Sequence, residues 1–258
     1  MSATSQRGET VASFRHGIEV IRSFTREHPR QTISEVAGRT GLSRAAARRL
    51  LLTLCEMSLA RTDGKHFRLT PAVLAFGQTF LAGMSELEIV RDVLLQYTQE
   101  ARESASAGVL IESDVIYVTR LASPNNKLPV GTGPGLRRPA HATAIGQILL
   151  AEAHPRELDR YLSQAVLEGY TPHTVTDKKA LRAKLASIRK QGFATIVEEL
   201  VVGQSSIAVS VPPGSSGTRM GIASSVPSAL VSEAEMIATL LPRLQRAAAD
   251  IAHLAANG

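Results

Sequence analysis

Four short signals between Thr32 and Leu69 leave this stretch little freedom in how it can fold. Thr32-Ile33-Ser34-Glu35 is a capping box, in which the Thr32 hydroxyl satisfies an orphan amide and Glu35 reaches back, with Ile33, Val36 and Ala37 turned to a core. Gly41 supplies the left-handed residue that a helix end needs, and Leu42 plugs the junction. Ser43 is an N-cap for a further helix over about residues 44–57. Leu59-Ala60-Arg61-Thr62, Asp63-Gly64 and Lys65-His66-Phe67-Arg68-Leu69 then spell a two-residue β-hairpin with a type I′ turn. Upstream, Phe14, Ile18, Ile21 and Phe24 recur at steps of four and three, which predicts a first helix ending before Pro29.

Three helices and a hairpin make a winged helix-turn-helix, whose second motif helix enters the DNA major groove. On a helical wheel, Ala46, Leu50, Thr53 and Met57 gather on one side of the third helix, with Arg44 and Arg48 roughly opposite. Ser43, Arg44, Ala45 and Arg48 are the positions expected at base edges. Arg49 is expected on a phosphate, and Thr32, at the start of the preceding helix, joins the contact set. Lys65, His66 and Arg68 ride the wing along the phosphate backbone or into the minor groove, where contacts position the protein. The plainer alternatives are a helical bundle with a solvated basic face and a hairpin that only closes the core through Phe67 and Leu69.

Charge weighs on that choice. Residues 1–77 carry 12 Lys+Arg against 6 Asp+Glu, and residues 78–258 carry 17 of each, so the net charge of +6 belongs to the first third. That third is the candidate polyanion binder. Its cations are arginines except for Lys65, and arginine's planar fork takes two acceptors of a phosphate or guanine together. With 258 residues the chain stands where one core stops growing, so two domains are expected. A single cysteine, Cys55, excludes an internal disulfide and a thiolate-rich metal site. No stretch approaches the roughly 20 apolar residues of a membrane span, and residues 1–12 lack a signal-peptide core, so a cytoplasmic location is expected. Residues 1–12 read as a disordered tail, followed by a DNA-binding domain over 13–70.

Thr70-Pro71 opens a linker helix assigned to 71–83, and Ser85 with Glu88 caps a long amphipathic helix through about residue 104, striped by Leu87, Val90, Leu94, Tyr97 and Ala101. The larger domain is assigned to 84–258. Strands are expected at Ala107–Ile111, Val115–Leu121, Phe193–Glu198, Ser206–Val211 and Arg219–Val226, with helices at about 139–152, 155–164 and 177–191 and a closing helix opened by Ser232 and Glu235. Strands at both ends with helices between give an α+β domain on a mainly antiparallel sheet.

The run from Val130 to Thr143 holds a glycine cluster, Arg137, Arg138 and His141 ahead of a helix start. It can hold an anion through free amides, a helix dipole and a guanidinium, or be a flexible surface loop. It lacks a P-loop Lys-Ser/Thr, and Pro134 spoils a dinucleotide fingerprint. His141 can be a base beside Glu198 or Glu199 or a hydrogen-bonded structural histidine. No nucleophile triad and no histidine pair at metal spacing is found, so no catalytic residue, metal or cofactor is assigned.

Over about Phe14 to Leu254 the chain resembles the IclR family of bacterial regulators. The resemblance rests on Thr32 to Ala37, Gly41-Leu42-Ser43-Arg44, Leu69-Thr70-Pro71, Pro139 to Ala144 with Gly146, and Gln191-Gly192-Phe193 leading to Glu199, Gly203 and Ser206-Ile207-Ala208-Val209. The run Ser43 to Leu54 looks closer to the branch that controls aromatic-acid and β-ketoadipate catabolism. The resemblance implies a GAF-like effector-binding domain, dimers or dimers of dimers, and a palindromic double-stranded operator. It places an effector pocket at Gly131, Thr132, Gly133, Ile196, Ser206, Ala223 and Ser225, and the anion-holding reading of the residues adds Arg137, Arg138 and His141 beside it for a small organic acid. Gln147 stands where the family commonly has a basic residue, Ser210 where proline is usual, and Ile196 where an aspartate-like residue borders the pocket. Apolar Ile196 and Ala223 favour an aromatic ligand over a small, highly polar acid. The expected function is therefore a ligand-responsive transcriptional regulator. Its rivals are an enzyme acting on a small organic acid and a ligand-independent architectural DNA-binding protein.

Overall fold

The computed structural model describes residues 10–82, 85–123, 133–212 and 218–257, and the chain divides into two compact units, 1–83 and 84–258. In the first unit, α1 (Ala12–Ser23), α2 (Ile33–Thr40) and α3 (Arg44–Glu56) pack around Val20, Val36, Ala37, Ala47, Leu51 and Leu54. The expected α1 stripe is only half used: Ile21 and Phe24 lean on this core, whereas Phe14 is 72% exposed. The helix outruns a core this small, so among the described residues of the unit nothing covers its first turn. The punctuation holds. Thr32 and Glu35 form the reciprocal capping box, Gly41 has φ +69°, and Ser43 Oγ accepts from the Ala46 amide at 3.2 Å. β2 (Ala60–Thr62) and β3 (His66–Leu69) form the wing, and the short β1 (Gln31–Thr32) pairs with β3 on its other side.

The wing turn differs from expectation. Thr62 pairs with Phe67, so residues 63–66 form the connection, closed by Asp63 N–H to His66 O at 3.2 Å. Only Gly64 among them has a positive φ, +95°, which excludes type I′, a turn needing two such residues. The Asp63 side chain selects this longer turn by accepting from the Lys65 and His66 amides at 3.1 and 2.8 Å. Beyond it, Thr70 caps a 3-10 turn, Pro71–Val73, that leads into α4 (Leu74–Ala82).

The second unit is α+β. After α5 (Ser85–Ala101) come β4 (Ser104–Ile111), β5 (Asp114–Leu121) and the short β6 (Arg137–Pro139), then a 3-10 turn, Ala140–Ala142, and α6 (Ala144–Glu152). α7 (Pro155–Gln164) and α8 (Lys178–Gln191) lead to β7 (Ala194–Val197), β8 (Gln204–Val211) and β9 (Met220–Pro227). Glu233–Glu235, a π-helical turn at Met236–Leu240 and a last helix, Leu241–Asn257, close the chain. The sheet is antiparallel throughout, in the order β6-β5-β4-β9-β8-β7.

α6 crosses one face of this sheet, while α5 and the last helix pack on the other. Gly221 lets α6 approach, since a Cβ there would lie 2.9 Å from the Ile145 side chain; at Gly108 a Cβ would make an ordinary 3.6 Å contact with Ile145 but lie 2.6 Å from the Val115 side chain on β5. Gly146 is tighter still, since a Cβ there would sit 2.2 Å from the Ala140 carbonyl oxygen. Two expectations need correcting here. The helix stops at Ala101 and the strand begins at Ser104 rather than at Ala107, and Arg137 and Arg138 lie on an edge strand instead of at a helix start. β6 escapes sequence reading because three residues of Arg-Arg-Pro carry no alternating apolar pattern.

Candidate nucleic-acid interface and ligand site

α3 buries Ala47, Leu51 and Leu54, one residue on from the expected stripe. Residues 50–52 are all leucine and Thr53 is followed by Leu54, so the apolar run permits either stripe; only packing against α1 and α2 selects between them. The selected register puts Ala45, Arg49 and Leu52 most directly opposite the core and leaves Arg44 and Arg48 on the exposed flank. Arg49 thereby joins Arg48 on the outward surface. Ser43 is exposed, with its hydroxyl committed to the cap. Thr32 is half buried, its hydroxyl held by Glu35 at 2.8 Å.

On the wing, Lys65 and Arg68 are exposed, whereas His66 is half buried with Nδ1 3.7 Å from Asp63 Oδ1. Asp63 is the anchor of this turn. The His66 and Lys65 amides, and then the Arg30 guanidinium at 2.6 Å, hold its carboxyl well below the usual carboxylate range. Among the described residues, Arg44, Arg48, Arg49, Arg61, Lys65 and Arg68 take part in no ion pair. Six uncompensated cations on a helix face and an adjoining ribbon can displace counterions from a phosphate backbone and offer forked donors to guanine.

In the second unit, the sheet register gathers four of the sequence-selected residues. Ile196 pairs with Ser206, Ser206 with Ser225, and Ser225 with Ser104, a row running across β7, β8, β9 and β4 on the α6 face. Ala194, Ala208, Ala223 and Ser106 form the next row. Ser206 and Ser225 join their hydroxyls at 2.7 Å, and Ser104 Oγ donates to the Ser225 carbonyl at 2.9 Å. These small polar side chains, with Ile196 and Ala223, make a largely buried floor that is apolar at one end and hydroxyl-lined in the middle.

Sequence reading missed the residue that completes the floor. Between Ala107 and Gly108 the β4–β5 register shifts, so that Ala107 faces Thr119 while Gly108 faces Tyr117. The extra residue, Val118, is a bulge on β5. A bulge reverses the in-out alternation beyond it, which turns Arg120 to the same face as Tyr117, three residues away. Arg120 lies opposite Ser106, with its guanidinium carbon 4.8 Å from the centre of the Tyr117 ring. Its Nε is buried without a hydrogen-bond partner. The one available signal was a charge inside the apolar run Val115 to Leu121.

The remaining selected residues scatter. Arg137 is committed to Asp114 at 2.8 Å, while Arg138, opposite Val115, faces the α6 side. Gly133 sits in an exposed turn, and Gly131 and Thr132 lie outside the described residues. His141 is 2% exposed; its Nε2 donates to the Glu168 carbonyl at 2.9 Å, and Gln147 Nε2 donates to the His141 carbonyl at 2.7 Å. The buried Glu199 takes Gln147 Nε2 at 2.9 Å and an ion pair with Lys184. Gln147, where the resemblance would put a basic residue, thus shares Glu199 with Lys184 of α8. Glu198 bonds Ser228, so neither glutamate serves His141 as a catalytic partner. His141 instead borders a cavity of about 1020 Å³ at the β4–β5 turn, lined also by Asp114, Tyr161, Glu168, Tyr170 and Arg219. Burial pushes the Tyr161 hydroxyl up to about 12.

Comparison with known proteins bears on both units. Residues 13–64 match the family model for the IclR helix-turn-helix domain, and residues 78–253 match that for the bacterial transcriptional regulator IclR C-terminal domain. The Pca regulon regulatory protein of Pseudomonas putida is 31% identical over 243 residues, 94% of this chain and 84% of that protein. The crystal structure of a putative transcriptional regulator, RHA06195 from Rhodococcus sp. RHA1, superposes with a TM-score of 0.78 at 35% identity, covering 96% of this chain and 99% of that one. A double mutant of the PobR transcription factor inducer-binding domain from Acinetobacter, in complex with 3-hydroxybenzoic acid, superposes with a TM-score of 0.59 at 26% identity, covering 65% and 97%.

Proposed function

The chain belongs to the IclR family of bacterial transcriptional regulators, with a DNA-binding helix-turn-helix unit and a family C-terminal unit, and from that premise we propose how each unit works. Arg44 and Arg48 read base edges in the major groove, Arg49 and the wing residues Lys65 and Arg68 hold phosphates, and the Thr32 and Ser43 hydroxyls serve mainly to fix the two helix starts. The observation that carries this reading is the set of six exposed or flanking cations without carboxylate partners on α3 and the wing. Domain limits of 13–70, 71–83 and 84–258 fit it.

The second unit binds a small aromatic acid on the floor formed by Ile196, Ser206, Ala223 and Ser225, with Arg138 at its edge. Support comes from the apolar and hydroxyl character of that floor and from the 3-hydroxybenzoate complex of a structural neighbour. The unit binds its ligand and does not transform it: His141, the side chain best suited to proton transfer, is buried against Glu168. The chain binds a palindromic operator as a dimer or as a dimer of dimers. Phe14 and, on α4, Phe76 at 63% exposure are apolar surface that supports such pairing. The protein acts in the cytoplasm; among the described residues no helix is long and apolar enough to cross a membrane.

A thermal-shift panel of aromatic and aliphatic acids tests the ligand reading. A bound acid at 100 times its Kd stabilises the fold by about 2.7 kcal/mol. An upward shift with aromatic acids is expected; a flat panel would contradict the reading.

A further inference from the structure

We infer that Arg120 is the counter-cation that takes the effector's carboxylate, with the effector's ring lying across the serine-lined floor from β5 toward β9. The inference rests on the effector site proposed above and names a residue and a recognition chemistry within it. Three observations carry it. The bulge at Val118 turns Arg120 onto the inner face, and bulges recur where a sheet re-aims a side chain for use. Its guanidinium is half buried against the Tyr117 ring, with Nε shielded from water and unpartnered. Among the described residues no carboxylate forms an ion pair with it. A charged fork left so is costly to keep in a folded chain unless an anion completes it.

The surroundings select the kind of anion. Burial lowers the Arg120 pKa, the Tyr117 side chain offsets part of this, and the like charge of Arg138 lowers it further, so an added negative charge would relieve both burial and repulsion. From β5 the floor continues through Ser106 and Ser104 on β4 to Ser225 on β9. Two strand spacings amount to about 10 Å, which suits a ring bearing a carboxylate at one end and a hydrogen-bonding group at the other. The Ser206–Ser225 hydroxyl pair stands ready for that second group, since either hydroxyl can donate or accept. Held over the Tyr117 ring, the Arg120 guanidinium can offer the carboxylate a bidentate fork.

The test uses the full-length chain, with binding followed by thermal shift and calorimetry. The probes are benzoate, 3-hydroxybenzoate, benzamide, and the aliphatic acids pyruvate and succinate. The expected result is that the intact chain prefers benzoate to benzamide by at least tenfold, and that Arg120→Gln removes this preference. Arg120→Lys keeps a charge without the fork and should retain a reduced preference, so it serves should the glutamine variant fold poorly. A cooperative thermal transition without ligand checks that both variants fold. If only aliphatic acids bind and they lose affinity in Arg120→Gln, the aromatic reading falls while the role of Arg120 stands. If carboxylates bind both variants as they bind the intact chain, or if no carboxylate binds the intact chain, the inference is overturned.

Discussion

Arg48 and Arg68 carry the same group, yet their removal should read out differently because their surroundings differ. On α3, Arg44→Ala or Arg48→Ala should cost about 1–3 kcal/mol of operator affinity and relax preference at one base pair. On the wing, Arg68→Ala should weaken all sequences alike and reduce the salt slope by about 1. Binding measured on single-base variants of one bound site separates the two; uniform loss from both α3 variants would assign those arginines to phosphate. Asp63 makes a prediction in pH. Its folded pKa lies below the ordinary carboxylate value, so the stability it lends the wing is complete above about pH 4 and is lost only as pH falls through the lower folded value. A carboxyl NMR titration should find it still ionised where ordinary aspartates are protonated. A normal titration would mean that the amides of Lys65 and His66 do not hold it.

Elements announced by one side chain and its own backbone were legible from the sequence. Thr32 with Glu35, Ser43, Thr70 and Ser232 with Glu235 all cap as their types require, because a cap is completed within a few residues. Features set across the chain were not. The buried face of α3 depends on which of several adjacent leucines meets α1 and α2. Ser104 looks like the tail of a helix until β9 is beside it, and Arg120 is an ordinary strand residue until the bulge turns it inward. Of the effector set, the row from Ile196 to Ser225 is assembled by strand register, whereas Arg137 is drawn off by Asp114 and His141 by Glu168. Close packing of α6 gives a direct check. Gly146→Ala forces a methyl against the Ala140 carbonyl and should destabilise the C-terminal unit by about 1–3 kcal/mol. Gly38→Ala on α2 meets nothing within 4 Å and should stabilise the N-terminal unit by about 0.5–1 kcal/mol. Calorimetry with both variants checks the pair, and a harmless Gly146→Ala would contradict the contact.

At the scale of the whole molecule, net charge divides with the fold: the first 77 residues hold the excess of cations and the remainder is balanced. A basic reader and a neutral binding unit in one chain make affinity for DNA the quantity on which ligand chemistry can act. The account therefore depends on α3 and the wing working as an uncompensated cationic surface. Its most direct test is the affinity of the full-length chain for a duplex carrying its own best-bound genomic site, measured across salt concentrations. With six such cations per chain, the log–log slope should be steep, approaching about −5 per chain if each neutralises one phosphate. It should flatten when Arg48 and Arg68 are replaced together. A slope near zero, or a steep slope that this double replacement leaves unchanged, would contradict the account.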